Sequence, residues 1–249
     1  MHLILTGATG LVGSGVLNHM LSLPAEQLSR LSILSRKPVP MAEGHSNVNV
    51  ILHQDFTSYP PELLEKLKGA EGCVWALGVS ATAVSKEEYV KITTDYPLAA
   101  ASAFATLSSP FKFVYVSGEG ATTSPGLLTP YFGHIKGQCE AALLSLMSKY
   151  PSLRPYSLRP AMVDSFGDPK VAEVAGGRRK GILKVVEYTL KPAIRTVWSS
   201  GVSPTQDLGR VLTDLAMGDG ERLEGSGMSG DGRTLSNKAM RRIAGLDKC

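Results

Sequence analysis

The chain has 249 residues, of which 43% are hydrophobic and 19% charged, so it can bury one sizeable core without division into smaller units. Its formal net charge of +4 is modest, and its basic residues are dispersed apart from Arg178-Arg179-Lys180, which argues against a nucleic-acid partner. The three cysteines and five histidines lack the spacing of a disulfide framework or a metal site, and no apolar stretch is long enough to cross a bilayer.

These limits lead us to expect one cytoplasmic domain over residues 1–249, without a metal or a membrane partner. Apolar runs of strand length alternate with helix-like segments, which predicts an α/β fold with a doubly wound parallel sheet. The predicted strands are Leu3–Thr6, Leu31–Ser35, Val48–His53, Gly72–Leu77, Phe111–Ser117 and Tyr156–Val163. The predicted helices are Val12–Leu23, Glu62–Leu67, Glu87–Leu107, Pro130 to about Tyr150, Pro204–Met217 and Leu235–Ala244.

Three glycines follow the first predicted strand at the spacing GxxGxxG and lead directly into the first helix. Gly7 permits a tight turn, Gly10 lets backbone N–H groups approach a phosphate, and Gly13 lets the helix lie close to the strand. The positive end of the helix dipole then faces the anion. The motif therefore predicts a seat for a nucleotide pyrophosphate. The other cofactor-binding positions expected in this turn are Thr9, Leu11 and Val12.

The second and third predicted strands end in residues that would meet the adenosine half of a dinucleotide. The second strand ends in Ser35-Arg36-Lys37, without the acidic residue that binds the free 2′-hydroxyl of NAD. Arg36 and Lys37 would instead pair with a 2′-phosphate, so we expect NADP(H) as the cofactor. After the third strand, Asp55 is expected either to bind the adenine amino group or to serve as a turn residue. Phe56 is expected to offer an apolar surface to the adenine ring.

Later in the chain, one helix start and one irregular segment stand out. Thr129 is the expected N-cap of a helix that has Pro130 at its first position. Residues 164–203 interrupt the alternation of strands and helices, and their mixture of glycines, basic residues and apolar residues is typical of an irregular cap. We expect this segment and residues 218–249 to cover the substrate side of the site.

Five segments, taken in order and spacing, carry a resemblance to one family. They are Thr6–Gly13, Trp75–Gly78, Val114–Ser117, Lys136–Glu140 and Leu158–Ala161. They are similar to the glycine turn, fourth-strand loop, active-site serine strand, KGxxE segment and LRPxxV strand of atypical or extended short-chain dehydrogenases/reductases. The similarity is greatest to the small NADPH-binding group that includes a Tat-interacting protein and its fungal epimerase/dehydratase-like relatives.

The resemblance implies a Rossmann domain with a small C-terminal cap, and hydride transfer between a nicotinamide cofactor and a substrate carbonyl. It implies that Ser117 orients the substrate oxygen. It also implies that Lys136 holds the nicotinamide ribose and lowers the pKa of a catalytic tyrosine. Further cofactor contacts are implied for Leu77, Gly78, Pro160 and Ala161.

The chain departs from the family pattern at the catalytic tyrosine. Four residues before Lys136 stands Phe132, which has no proton to exchange. Tyr131 is the candidate phenol, but residues five apart on an α-helix differ by about 140° in azimuth, so a regular helix turns it away from Lys136. It can act only if the first helical turn is distorted or the substrate approaches from another side. Glu119 is either a further acid/base candidate or a solvent-facing turn carboxylate.

These observations leave three functions open. The first is reduction of a carbonyl or activated alkene of a small apolar metabolite, slowed by the missing phenol. The second is a non-redox reaction in the same pocket, such as isomerisation, elimination or cyclisation. The third is an NADPH-binding regulator or scaffold. In each case we expect a small-molecule ligand and a monomer or homodimer.

Overall fold

The structure, a computed structural model, describes residues 1–176 and 198–247. Residues 177–197 and 248–249 lie outside the described residues. The basic cluster Arg178-Arg179-Lys180 and the middle of the expected cap are therefore outside them as well.

The strands build one large sheet and one small one. The described strands are β1 (His2–Thr6), β2 (Arg30–Ser35), β3 (Val48–Leu52), β4 (Gly72–Trp75), β5 (Phe111–Val116), β6 (Leu153–Leu158), β7 (Met162–Asp164), β8 (Val202–Pro204), β9 (Met228–Ser229) and β10 (Thr234–Leu235). The large sheet has the order β3-β2-β1-β4-β5-β6-β10-β9, and its neighbouring strands are parallel except for β9 against β10. β7 and β8 form a separate parallel pair. The strand order reverses between β1 and β4, and ligands bind at such switch points.

Helices cover both faces of the large sheet. They are α1 (Leu11–Ser22), α2 (Pro61–Lys66), α3 (Lys86–Val90), α4 (Tyr96–Phe104), α5 (Tyr131–Lys149), α6 (Pro169–Gly176), α7 (Thr205–Met217) and α8 (Asn237–Ala244), with a π-helical turn, Lys91–Asp95, between α3 and α4. Leu3 and Leu5 of β1 enter the apolar cluster with α1 and α7, whereas Ile4 enters the cluster with α4 and α5. The predicted doubly wound parallel sheet is confirmed.

The predicted strand over residues 156–163 is wrong in its second half, because the chain changes sheets there. β6 follows β10 as far as Arg159, whose backbone N–H donates to Leu235 O at 2.8 Å. Pro160 has no N–H with which to continue a ladder. The next N–H, of Ala161, donates to Ser203 Oγ at 3.0 Å, at the start of the β7–β8 pair.

The expected N-cap of α5 is also wrong by one residue. Pro130 is the N-cap, with an extended backbone at φ −60° and ψ 145°. The Thr129 hydroxyl lies outside the helix and accepts a hydrogen bond from Gly126 N at 2.8 Å. Thr129 therefore stabilises the preceding loop, and Tyr131 begins the helix.

The segment after residue 217 extends the sheet before it reaches the site. β10 pairs with β6, and β9 pairs with β10, so this stretch adds an edge to the large sheet. α8 follows β10 directly and is capped by Ser236 Oγ, which accepts from Ala239 N at 3.3 Å. The predicted cap over residues 218–249 is thus part sheet edge and part helix.

A buried ion pair joins α5 to the end of β6. Arg159 Nε donates to Glu140 Oε1 at 2.9 Å, and its NH2 donates to Oε2 at 2.5 Å. The Glu140 side chain is 4% exposed and the Arg159 side chain 23%. This bidentate pair holds the KGxxE segment against the LRP segment that the sequence analysis singled out.

We expect Arg159→Met to lower the free energy of unfolding by about 3–5 kcal/mol, because it leaves the Glu140 carboxylate buried without its partner. The matched control is Lys68→Met, which breaks the fully solvated Lys68–Glu65 pair and should change stability by less than about 0.5 kcal/mol. Urea unfolding at pH 7 measures both. Equal losses in the two variants would contradict the structural role of the Arg159–Glu140 pair.

Candidate functional site

Two adjoining cavities open at the carboxyl ends of the central strands. The larger, of about 1040 Å³, lies over β4, β5 and β6, and the smaller, of about 460 Å³, lies over β1 and β2. Gly10, Ala76, Leu77 and Gly78 line both of them. The cavities therefore form one groove across the switch point, with the two halves that a dinucleotide requires.

The glycine turn brings backbone atoms closer together than side chains would allow. Gly7 has φ +71°, and a β-carbon there would lie 2.3 Å from Ala76 O. A β-carbon on Gly13 would lie 2.1 Å from Gly7 O. Gly10 is the N-cap of α1 and has no side chain to cap it. The first N–H groups of the helix are thus left for a ligand, and Leu11 and Val12 line the groove beside them.

The ends of β2 and β3 supply the polar rim of the smaller cavity. Arg36 and Lys37 are exposed and line it together with Thr9. Gln54 Nε2 donates to Arg36 O at 2.9 Å, which fixes the backbone at this strand end. Among the described residues that line this cavity there is no carboxylate. A dianionic phosphate at this rim would meet cations and no repelling acid.

The two residues expected at the adenine lie elsewhere. Asp55 lines neither of these cavities, and its carboxylate accepts hydrogen bonds from Thr57 N at 2.9 Å and Thr57 Oγ1 at 2.5 Å. Those hydrogen bonds lower the pKa of Asp55, and the arrangement is that of a turn residue. The Phe56 ring is fully buried against Trp75, 5.9 Å between ring centroids. It has no open face for adenine, which corrects the expected role of this side chain.

The residues that the family resemblance implies as cofactor contacts lie together in the lining of the larger cavity. Leu77 and Gly78 line it from the loop after β4, and Pro160 and Ala161 line it from the break between β6 and β7. Both segments follow directly from the carboxyl ends of parallel strands. Four sequence-distant positions are therefore brought to one wall by the sheet.

Ser117 and Lys136 meet on the same wall. Lys136 Nζ donates to Ser117 O at 2.5 Å, and both residues line the larger cavity. Ser117 is 2% exposed, and its Oγ has no hydrogen-bond partner among the described residues. Burial lowers the pKa of Lys136 to about 8. The site thus holds an ammonium and a buried hydroxyl whose hydrogen-bonding capacity is left for a ligand.

Two further glycines, whose role the sequence analysis missed, bring Lys136 to this position. A β-carbon on Gly133 would lie 2.5 Å from Gly120 O, and one on Gly137 would lie 2.1 Å from Thr122 O. Both glycines are in α5, four residues apart, and so share one helix face. This spacing was the signal in the sequence. Because these two glycines have no side chains, the loop after β5 can lie directly on the helix that carries Lys136.

The structure separates the two aromatic residues at the start of α5. Phe132 lines the larger cavity, as the residue one turn before Lys136. Tyr131 does not line it, and its ring lies 6.0 Å from the Tyr89 ring and under Lys86 Nζ at 5.5 Å. The helix begins at Tyr131, and in its first turn Pro130 O accepts from both Gly133 N at 2.9 Å and His134 N at 3.3 Å. The position of Tyr131 outside the described cavity lining does not support its expected catalytic role.

A hydrogen-bonded network that the sequence analysis also missed closes the far side of the cavity. Asn237 N donates to Glu119 Oε2 at 3.0 Å, and Asn237 Nδ2 donates to Ser200 O at 2.7 Å. Ser203 Oγ donates to Asn237 Oδ1 at 2.7 Å. Glu119 thus accepts a hydrogen bond from the first residue of α8, and its carboxylate belongs to a turn beside the cavity. An asparagine immediately after the Ser236 cap gave no distinct signal in the sequence.

Two general expectations concern metals and membranes. Within residues 1–176 and 198–247, no cluster of three or more His, Cys, Asp or Glu side chains is arranged to hold a metal ion. The helices of the same residues include none with the length and apolar character needed to cross a bilayer.

Two relatives of known sequence are proteins of fungal biosynthesis clusters. Leucinostatins biosynthesis cluster protein T of Purpureocillium lilacinum is 35% identical over an alignment that covers 97% of this chain and 94% of the relative. Botcinic acid biosynthesis cluster B protein 16 of Botryotinia fuckeliana is 40% identical, with 55% of this chain and 87% of the relative covered. No protein-family model matches the chain.

Solved structures with a similar fold include proteins with either nicotinamide cofactor. The Bordetella bronchiseptica enzyme WbmF, in complex with NAD+, matches with a TM-score of 0.65 at 14% identity, covering 100% of this chain and 79% of WbmF. BdcA, in complex with NADPH, matches with a TM-score of 0.63 at 10% identity, covering 95% of this chain and 93% of BdcA. At these identities the likeness establishes the fold alone.

We expect Ser117→Ala to leave the free energy of unfolding of the cofactor-free protein unchanged or to raise it by up to about 1 kcal/mol, because the hydroxyl that it removes is buried without a partner. The matched control is Ser32→Ala. Ser32 is equally buried, but its Oγ lies 2.9 Å from His2 Nε2, so its loss should cost about 1–3 kcal/mol. Urea unfolding compares the two. A loss in Ser117→Ala as large as that in Ser32→Ala would contradict the assignment of a ligand-binding hydroxyl.

Proposed function

Because the chain belongs to the atypical short-chain dehydrogenase/reductase-like family of NAD(P)-binding Rossmann-fold proteins, we propose that it binds NADP(H) and reduces a carbonyl or activated alkene of a small apolar metabolite. One observation carries the proposal. The Lys136 ammonium and the Ser117 hydroxyl, which has no hydrogen-bond partner among the described residues, lie on one wall of a groove that begins at a glycine-lined phosphate seat.

The cofactor fits the residues that are present. The bare start of α1 suits a pyrophosphate, and side chains at Gly7 or Gly13 would collide with the backbone of the turn that presents it. Arg36 and Lys37 suit the 2′-phosphate of NADP. When bound, the cofactor supplies the hydride. Lys136 is proposed to hold the nicotinamide ribose.

The proposed substrate class follows from the lining of the larger cavity. Its walls beyond the cofactor positions include six apolar residues, beside polar ones such as Ser80, Ser200 and Asn237; the apolar residues are Val79, Val116, Phe132, Met162, Val163 and Trp198. Ser117 supplies a hydroxyl to orient a carbonyl oxygen among them. The relatives are named as proteins of biosynthesis clusters, which supports an intermediate of such a cluster as the substrate. Residues 164–203 and 218–249 are proposed to cap it.

One observation favours a second candidate function. Phe132 occupies the cavity position one turn before Lys136, where a reductase of this family would need a phenol. Without that acid, the same pocket suits a non-redox reaction, such as isomerisation, elimination or cyclisation, or an NADPH-binding regulator. The candidates differ in whether bound NADPH is consumed.

The proposed function is tested with purified protein and both cofactors. Calorimetry should give tighter binding of NADPH than of NADH. Aldehydes, ketones and quinones are then screened for substrate-dependent oxidation of NADPH. Binding without oxidation by any of these compounds would favour the second candidate function. Absence of binding to either cofactor would overturn both.

We expect Arg36→Met to weaken NADPH binding by about 10- to 100-fold, because a charge-assisted hydrogen bond to phosphate contributes about 1.5–3 kcal/mol. NADH affinity should change by less than about 3-fold, since NADH lacks that phosphate. The matched control is Arg30→Met, at the opposite end of the same strand, where Arg30 donates to Lys66 O. It should leave both affinities unchanged. Equal weakening of NADPH and NADH by Arg36→Met would contradict the phosphate contact.

We expect Phe132→Tyr to raise the rate of carbonyl reduction by on the order of 10²-fold, because it places a phenol on the cavity wall beside Lys136. Tyr131→Phe, which removes the neighbouring phenol outside the cavity, is the control and should leave the rate within about 2-fold. Single-turnover oxidation of bound NADPH measures the chemical step. A rate that falls in Tyr131→Phe and stays level in Phe132→Tyr would reverse the placement of the two rings.

A further inference from the structure

Resting on the proposed function, we propose that Lys136 itself donates the proton to the substrate oxygen, in place of a phenol, which the described lining of the cavity does not include. The group that usually assists proton transfer would then carry it out. The proposal concerns the chemistry of one side chain, so it can fail while the proposed function stands.

The position of the ammonium supports this role. One N–H of Lys136 Nζ goes to Ser117 O at 2.5 Å, the hydrogen bond that fixes Nζ among the described residues. An ammonium has three N–H donors, so two are left for ligands. A side chain at the adjacent position 118 would begin with a β-carbon 3.5 Å from Nζ. Because this residue is Gly118, that side of Nζ is left open. A substrate oxygen bound near Ser117 Oγ would therefore be within reach of Nζ.

The other titratable groups on the cavity wall are poorly suited to donate this proton. Among the described lining residues they are Glu119, Lys238 and Asp247. Glu119 accepts from Asn237 N, and Asp247 pairs with Arg241 NH2 at 2.7 Å, so both side chains are already engaged by other groups of the protein. Lys238 is exposed to solvent on α8, whereas Lys136 is buried beside Ser117.

The surroundings of Lys136 also suit an acid that works near neutral pH. Burial lowers the pKa of Lys136 to about 8, whereas Cys139 and Glu140 on the same helix act in the opposite direction. The Glu140 carboxylate is engaged by Arg159, which offsets part of its charge. The ammonium is thus present at pH 7 and is far more acidic than a solvated lysine, as general acid catalysis requires.

The proposed step balances as follows. The substrate carbonyl carbon accepts a hydride from NADPH, and a new C–H bond forms while the C=O π pair moves to the oxygen. That oxygen takes a proton from Lys136 Nζ, which becomes a neutral amine. The carbonyl is reduced to an alcohol, NADPH is oxidised to NADP+, and the amine regains a proton from water.

The first experiment tests whether Lys136 contributes a transferable proton or only a positive charge. Lys136→Arg keeps a cation with N–H donors but cannot release a proton in this pH range. We expect it to bind NADPH within about 3-fold of wild type and to lower the single-turnover reduction rate by about 10²- to 10⁴-fold. Lys149→Arg, near the far end of the same helix, is the matched control and should be unchanged. A Lys136→Arg rate within 3-fold of wild type would overturn the proposal and leave the proposed function standing.

Two further measurements do not depend on how well arginine fits the site. In Lys136→Ala, added methylammonium should restore reduction in proportion to its concentration, and failure of rescue in a variant that binds NADPH would count against the proposal. In the cofactor-free protein, the pH profile of acylation at Lys136 should show a midpoint near 8, as against about 10.4 for an unperturbed lysine in a model peptide. A midpoint near that of the model peptide would overturn the proposal. Wild-type protein that oxidises no NADPH would instead overturn the proposed function.

Discussion

Close approach of backbone to backbone is the constraint on which the site depends. Helix α1 lies against the turn after β1 because Gly13 has no side chain, and α5 lies against the loop after β5 because Gly137 has none. A single β-carbon at either position would fall 2.1 Å from a carbonyl oxygen. The first contact leaves helix N–H groups beside the groove, and the second brings the helix of Lys136 to the strand end of Ser117.

The two halves of the site are held by different kinds of interaction. The phosphate half needs only backbone geometry, since its ligand groups are N–H donors and a helix end. The reactive half needs side chains at set positions, and a buried ion pair between Glu140 and Arg159 joins the two elements that carry them. Asn237 then ties α8 to the loop after β5 and to the segment before β8.

Four residues before Lys136, where the family pattern has a tyrosine, this chain has Phe132. A phenol would share the proton transfer with the lysine beside it, whereas Phe132 gives the same wall an apolar surface. Burial of Lys136 disfavours its charged form and lowers its pKa.

The sequence by itself determined the sheet, the glycine turn and the separation of Tyr131 from Phe132, because each follows from a local period. Alternation in β1, the GxxGxxG spacing and 100° per residue on a helix need no distant partner. The same local patterns predicted the ends of β1 to β5 to within two residues of where they lie in the structure.

Only the tertiary structure decided which side chains are free to act. Asp55 and Phe56 read as neighbours of adenine, yet one closes a turn with Thr57 and the other packs on Trp75 in the core. The break at Pro160, the pairing of Glu140 with Arg159 and the network of Asn237 all join residues far apart in the chain. Burial and hydrogen-bond partners are properties of these long-range contacts, and a single sequence carries no local period that encodes them.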